Sequence, residues 1–171
     1  MDIREIKPVS PEECEQVGSM AKEIWTEHYA GILSAGQIDY MVETFQSPQA
    51  ISQQIKEGYQ YYWICYDGQP VGYLAIHPED TSLFLSKIYI RRPFRGKKLS
   101  TCAVHYLTLL CQERGWDRIW LTVNKHNAGS IAAYKRLGFV KTRELVTDIG
   151  QGYVMDDDIM ELMISQKEAS L

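Results

Sequence analysis

Three consecutive β-strand patterns between residues 60 and 90 constrain the fold of this chain more than any other feature. The stretch QYYWICYD runs into the pair Asp67-Gly68, PVGYLAIH follows that pair, and SLFLSKIYI follows a second turn-rich segment. An Asp-Gly pair between two apolar runs is typical of a tight antiparallel hairpin. We therefore expect an antiparallel sheet in the centre of the chain.

Helix signals dominate the chain before these strands, after a first strand predicted over residues 2–9. Ser10, Ser34 and Ser47 each stand at the N-cap position of an amphipathic pattern, and a proline follows two of them. Serine accepts hydrogen bonds from the free N–H groups of a first turn, and proline fits the first helical position. The sequence therefore predicts three helices here, the third ending near Glu57.

Helices and strands alternate in the rest of the chain. An apolar stripe predicts a helix from Leu99 to Gly115, followed by the buried strand DRIWLTV and a short helix over 127–137. FVKTRELV and DIMELMIS are the last predicted strands, with a loop over 147–156 between them. The predicted fold class is α+β, with a central mixed, mostly antiparallel twisted sheet flanked by helices. We expect one domain over residues 1–171.

Basic charge is concentrated in one short segment of a chain whose net charge is −4. No acidic residue occurs between Asp80 and Glu113, and FRGKKLS at 94–100 lies directly before a predicted helix. The first N–H groups of a helix lack partners within it, so its N-terminus favours an anion. A solvated basic loop and a phosphate site are equally compatible with this segment alone. The acidic total argues against nucleic acid as a partner.

A second motif, NKHNAGSIAAYKRLGF, places Asn127 and Tyr134 around a short helix that Gly138 ends. Together the two motifs resemble the GNAT superfamily of N-acetyltransferases. The family signature N-x-x-A/S-I-x-x-Y-x-x-x-G-F is matched by Asn127, Ser130, Ile131, Tyr134, Gly138 and Phe139. The family's phosphate-loop pattern falls on Arg95, Lys98 and Ser100.

This resemblance implies a single GNAT-like domain that transfers an acetyl group from acetyl-CoA, its co-substrate, to a primary amine in a ternary complex. It makes Tyr134 the catalytic acid that protonates the departing thiolate, and it implies no metal. Backbone groups of Ile88, Tyr89 and Ile90 would hold the pantetheine arm. The remaining cofactor-binding residues implied are Arg95, Gly96, Lys97, Lys98, Leu99, Ser100, Thr101, Asn127, Ser130 and Lys135.

Lys98 departs from the family pattern, because glycine is usual at its position. A left-handed backbone there would cost about 1 kcal/mol or more, whereas a helical backbone would accept lysine without strain. Both alternatives are open at the level of sequence.

The general base is also missing, since neither SLFLSKIYI nor DRIWLTV contains the glutamate that related enzymes often use. The candidates from neighbouring segments are Glu27, His28, Tyr29, His77 and Glu79, and a water relay is another alternative. His28 equally fits a role in the core.

The acceptor region predicted around residues 23–45 is aromatic and acidic, with Glu23, Glu27, Asp39 and Glu43. It is similar to bacterial PaiA-like polyamine acetyltransferases, which implies a small cationic amine as partner. Alternatives are acetylation of a protein N-terminus or lysine, and an acyl-CoA-binding module without turnover.

Cysteine usage and hydropathy bear on location. The four cysteines have no CxxC spacing, which is typical of free thiols in a reducing compartment. The chain has no long apolar run and no apolar leader, so we expect a cytoplasmic protein without a membrane partner. A homodimer is compatible with the sequence.

Overall fold

The computed structural model describes residues 2–166. The helices are α1 (Cys14–His28), α2 (Ala35–Gln46), α3 (Pro48–Lys56), α4 (Leu99–Arg114) and α5 (Ala128–Arg136). The strands are β1 (Arg4–Pro8), β2 (Gln60–Tyr66), β3 (Gln69–Pro78), β4 (Ser82–Ile90), β5 (Arg118–Asn124), β6 (Val140–Gly150) and β7 (Tyr153–Met163).

Serine caps begin the helices as predicted. The side chain of Ser34 accepts the Gln37 N–H and starts α2, and that of Ser47 accepts the Ala50 N–H and starts α3. At Ser10 the backbone N–H donates to the Glu13 carboxylate at 2.9 Å, and a short 3₁₀ turn leads into α1. These local signals confirm the three predicted helices.

The strands hydrogen-bond in the order β1-β2-β3-β4-β5-β7-β6. Strands β4 and β5 run parallel, whereas β1–β2, β2–β3, β5–β7 and β6–β7 pair antiparallel. This confirms the predicted α+β class with a mixed, mostly antiparallel sheet. Strand β7, last in the chain, lies between β5 and β6.

The described residues group into two compact units. Unit 1 comprises the described residues up to His77 together with Lys87–Ala103, and unit 2 comprises Pro78–Ser86 together with those from Val104 onward.

Unit 1 has a buried polar network inside an apolar core. The Trp25 indole N–H donates to the Tyr73 hydroxyl at 2.9 Å, and that hydroxyl donates to the Gln46 amide oxygen. Gln46 in turn donates to the Tyr61 hydroxyl at 3.1 Å. Because these buried polar groups satisfy one another, the network holds α1 and the end of α2 at defined positions against β2 and β3.

Unit 2 is built on β5, whose Ile119 and Leu121 are buried, and on β7, whose Met160 is buried beside them. The predicted loop over 147–156 is wrong. Strands β6 and β7 continue through most of it and are joined only by Gln151-Gly152, with φ of 57° and 79°. Two consecutive left-handed residues match the twist of a hairpin, so the two strands pair through most of the predicted loop.

Among residues 2–166, no helix has the length and apolar character needed to cross a membrane.

Candidate functional site

The basic turn in unit 1 joins the end of β4 to the start of α4. A 3₁₀ turn over Arg92–Phe94 comes first, followed by Gly96 with φ of 81° and Lys98 with φ of 60°. The Lys98 carbonyl then accepts the Cys102 N–H at 3.1 Å and opens the helix. Left-handed residues in a turn of this kind can form an anion-binding concavity of backbone N–H groups before the helix N-terminus.

Lys98 therefore adopts the conformation for which glycine is preferred. Of the two alternatives that the sequence left open, the left-handed one is observed. A lysine held there costs about 1–2 kcal/mol relative to a relaxed backbone. Strain of this kind is often found where a ligand is bound.

Hydrogen bonds anchor the basic turn to the rest of unit 1. The Arg4 side chain donates to the Lys97 carbonyl oxygen at 2.7 Å, and Arg95 Nε donates to the Ile90 carbonyl oxygen at 3.1 Å. The Lys97 ammonium lies 5.3 Å from the centre of the Tyr66 ring. These contacts fix the backbone between β4 and α4, while Arg95 and Lys98 remain exposed to solvent.

Two basic residues of the same sequence stretch are engaged elsewhere. Arg91 Nε lies 3.1 Å from the Glu23 carboxylate. Lys87 lies half-buried with its ammonium 5.6 Å from the Tyr59 ring centre, and burial lowers the pKa of Lys87 to about 8. The basic side chains that the turn before α4 can offer to an anion are therefore Arg95, Lys97 and Lys98.

The predicted pantetheine segment, Ile88 to Ile90, forms the end of β4. Gly72 of β3 lies against it, since a Cβ at Gly72 would come within 2.4 Å of the Tyr89 carbonyl oxygen. The Tyr89 ring packs on Trp25 at 5.4 Å between ring centres. Glycine at position 72 is thus required for this close approach of the two strands.

The base candidates from the sequence differ in their surroundings. Burial, and then the nearby Arg95 charge, lower the pKa of His28 to about 4. The Tyr29 and Tyr89 hydroxyl oxygens lie 3.1 Å apart, and His77 packs on the Tyr59 ring. In unit 2, Glu79 accepts the Trp120 indole N–H at 2.6 Å and the Ser82 hydroxyl at 2.8 Å. Glu27 is exposed.

The second motif forms α5 in unit 2. The Asn127 side chain caps α5 by accepting the Ser130 N–H at 3.2 Å. Tyr134 is half-buried and its ring packs edge-on against Phe139 at 5.7 Å. Gly138, with φ of 102°, ends the segment, and Lys135 is exposed. Asn127, Ser130, Tyr134 and Lys135 thus share one short helical segment, apart in the chain from residues 88–101.

Sequence reasoning missed one notable group, the carboxylates Asp156, Asp157 and Asp158 on β7. Asp157 and Asp158 are each only 7% exposed. Three consecutive acidic residues are visible in the sequence and could have marked this group. Their burial could not be predicted, because it depends on the neighbouring strands.

Comparisons with known proteins agree with this arrangement. The profile of the acetyltransferase (GNAT) family matches residues 19–139. The fold is similar to that of PaiA N-acetyltransferase from Thermoplasma acidophilum in complex with coenzyme A (TM-score 0.81, 21% identity, 94% of this chain and 99% of that one).

Two further solved structures are similar. One is the ribosomal-protein-S18-alanine N-acetyltransferase from Escherichia coli (TM-score 0.72, 17% identity, 99% of each chain). The other is a spermidine N-acetyltransferase chimera from Vibrio cholerae SpeG and hSSAT (TM-score 0.70, 13% identity, 94% of this chain and 95% of that one). At these identities the likeness shows the fold alone.

Proposed function

The chain belongs to the acetyltransferase (GNAT) family, and on this premise we propose that it transfers an acetyl group from acetyl-CoA to the primary amine of a small cationic molecule such as a polyamine. Acetyl-CoA supplies the acetyl group already activated as a thioester. The protein's part is to bind both molecules, orient them and move protons.

The basic turn is the observation that carries this proposal. In a chain of net charge −4, it combines exposed basic side chains, two left-handed residues and a helix N-terminus. These features fit the pyrophosphate of acetyl-CoA, which would be held by Arg95, Lys97, Lys98 and the N–H groups of residues 99–101. Backbone groups of 88–90 would hold the pantetheine arm. Asn127, Ser130 and Lys135 are assigned to cofactor contacts by the family motif that they match.

Tyr134 is the proposed catalytic acid. A phenol with an ordinary pKa near 10 is protonated at neutral pH and can donate to a thiolate, whose conjugate thiol has a pKa of about 8.5. The packing of its ring on Phe139 restrains the side chain at the end of α5.

Exposed acidic side chains favour a cationic acceptor. Glu27, Asp39 and Glu43 are exposed on α1 and α2, whereas Glu23 is paired with Arg91. Exposed carboxylates attract cations at long range, although salt screens the effect. A protein N-terminus or lysine is the second candidate acceptor, and binding of acyl-CoA without turnover is the third.

Release of free CoA thiol tests the proposal directly. The protein is incubated with acetyl-CoA and, in separate reactions, spermidine, an aminoglycoside, and peptides with a free N-terminus or lysine. We expect thiol release with spermidine well above that of acetyl-CoA alone. Release only with peptides would move the acceptor to protein amines. Binding of acetyl-CoA by calorimetry without release in any reaction would support the binding module.

A further inference from the structure

Asp157 of β7 is a buried carboxylate without the partner that such a group normally has. It is 7% exposed, and its Oδ1 atom has no hydrogen-bond partner among residues 2–166. The Oδ1 atoms of Asp156 and Asp158 lack a hydrogen bond too, but these two carboxylates are ion-paired, since Asp156 lies 2.6 Å from the Lys125 ammonium and Asp158 lies 3.3 Å from that of Lys141. A buried carboxylate oxygen without a hydrogen bond or an ion pair is costly, so its presence calls for a ligand or a chemical role.

The register of unit 2 places Asp157 beside the end of β5. Asp157 pairs with Asn124 on one side and with Leu145 of β6 on the other. Asn124 leads directly into α5, because its carbonyl oxygen accepts the Asn127 N–H and its side chain accepts the His126 N–H, each at 2.9 Å. Asp157 therefore lies one strand away from the turn that starts the helix carrying Tyr134.

The charges around Asp157 leave it ionised but uncompensated near neutral pH. Burial, and then the charges of Asp156 and Asp158, raise the pKa of Asp157 to about 6. On the same face, β5 contributes Thr122 and Asn124, which do not titrate, and β6 contributes the exposed Arg143. A carboxylate with a pKa near neutrality is suited to take up a proton during turnover.

We propose that Asp157 is the general base that takes a proton from the acceptor amine, an inference that rests on the acetyl transfer proposed above. The acceptor amine reacts in its neutral form, and its nitrogen bonds to the acetyl carbon while the carbon–sulfur bond breaks. One N–H proton passes to the Asp157 carboxylate, directly or through one water, and the sulfur takes a proton from Tyr134. Asp157 then releases its proton to solvent and Tyr134 takes up a proton from solvent, which restores the enzyme.

Two of the candidates predicted from sequence are less suited to this role. His28, with its pKa near 4, binds a proton weakly. The Glu79 carboxylate is already engaged with Trp120 and Ser82. Asp157 alone among the groups compared combines burial, an oxygen without a hydrogen bond and a pKa near 6.

Asp157→Asn tests the proposal, with Asp158→Asn as a control matched in burial on the opposite face of the same strand. Thiol release is measured from pH 5 to 9 with acetyl-CoA and whichever amine of the panel the wild-type protein acetylates. For Asp157→Asn we expect kcat/KM to fall by about 10²–10⁴-fold, with loss of the acid limb near pH 6. The control should keep the limb and fall less than about tenfold.

Equal turnover in wild type and Asp157→Asn would overturn the assignment, and so would equal losses in both variants. If Asp157→Asn does not fold, the wild-type profile decides. The fall of kcat/KM below about pH 6 must then occur at the same pH with two acceptors whose amines differ in pKa. If that fall shifts with the pKa of the amine, Asp157 is excluded as the base. Absence of wild-type turnover with every amine removes the proposed function and this inference with it, whereas the other contrary outcomes remove the inference alone.

Discussion

The basic turn of unit 1 and the acidic strand β7 of unit 2 hold charge in opposite ways. In the turn, Arg95 and Lys98 are close in sequence, exposed, and positioned by the local backbone. On β7, Asp157 is buried and owes its surroundings to strands β5 and β6. Exposed charges are screened by water and salt, whereas a buried charge acts strongly on its few neighbours.

This contrast separates two kinds of effect. Changes in the turn should alter cofactor affinity and leave the chemical step nearly intact. Changes to the proton-transfer groups of unit 2 should alter kcat and leave affinity nearly intact. Each of the following predictions can contradict this separation between effects on cofactor affinity and effects on kcat.

Tyr134→Phe should have the largest effect. The change removes one hydroxyl and keeps the ring that packs on Phe139. Loss of an acid catalyst typically costs about 10²–10⁴-fold in rate, so we expect kcat to fall that far with acetyl-CoA affinity unchanged. Steady-state kinetics and calorimetry measure the two quantities. Full activity in the Phe variant would end the case for Tyr134 as the acid.

Asp157 should make stability fall as pH rises. Its pKa is raised from an ordinary 3.8 to about 6 in the folded protein, so the folded state holds the proton more tightly than the unfolded chain does. This contribution is complete below pH 4 and is lost as pH rises through 6, amounting to about 3 kcal/mol. Urea unfolding at pH 4.5 and 7.5 should show a smaller fall in Asp157→Asn than in wild type. If the free energy of unfolding falls equally in wild type and Asp157→Asn, the ionised carboxylate is solvated instead of buried.

Arg95→Ala should weaken acetyl-CoA binding by about tenfold, the scale of one charge-assisted contact. Arg92, exposed in the preceding 3₁₀ turn, offers the matched control, and Arg92→Ala should change affinity less than twofold. Calorimetry at low and high salt measures both, and the difference should shrink with salt. A large fall in kcat in Arg95→Ala at saturating acetyl-CoA would break the division between the two regions.

Substitution of Lys98 should change stability and affinity least. Relief of backbone strain in the folded state is opposed by the added freedom of the unfolded chain. Lys98→Gly relieves a left-handed φ of 60° but adds freedom to the unfolded chain, so we expect a gain of about 0.5–1 kcal/mol in stability. Lys98→Ala keeps the strain and removes the same charge. If the ammonium contacts phosphate, both variants should weaken acetyl-CoA binding by a similar severalfold. Tighter binding by either variant would contradict a phosphate contact.

The sequence by itself determined what depends on neighbouring residues. Ser34 and Ser47 begin helices because a serine oxygen satisfies N–H groups only three residues away. Asp67-Gly68 turns the chain because both residues accept a left-handed backbone, with φ of 49° and 82°. The basic turn was equally visible, since its charges lie next to one another in the chain.

The tertiary structure alone decided the rest. The predicted loop over 147–156 became strand because β6 and β7 pair with each other, a gain in backbone hydrogen bonds that no local pattern reports. The left-handed φ of Lys98 could not be predicted from its residue type, because lysine can occupy either a helical or a left-handed backbone. Asp157 meets Asn124 only because the last strand enters the sheet beside β5, after a helix and another strand have intervened in the chain. Burial then raises the pKa of its carboxyl, since the cost of desolvating a charge depends on everything packed around it.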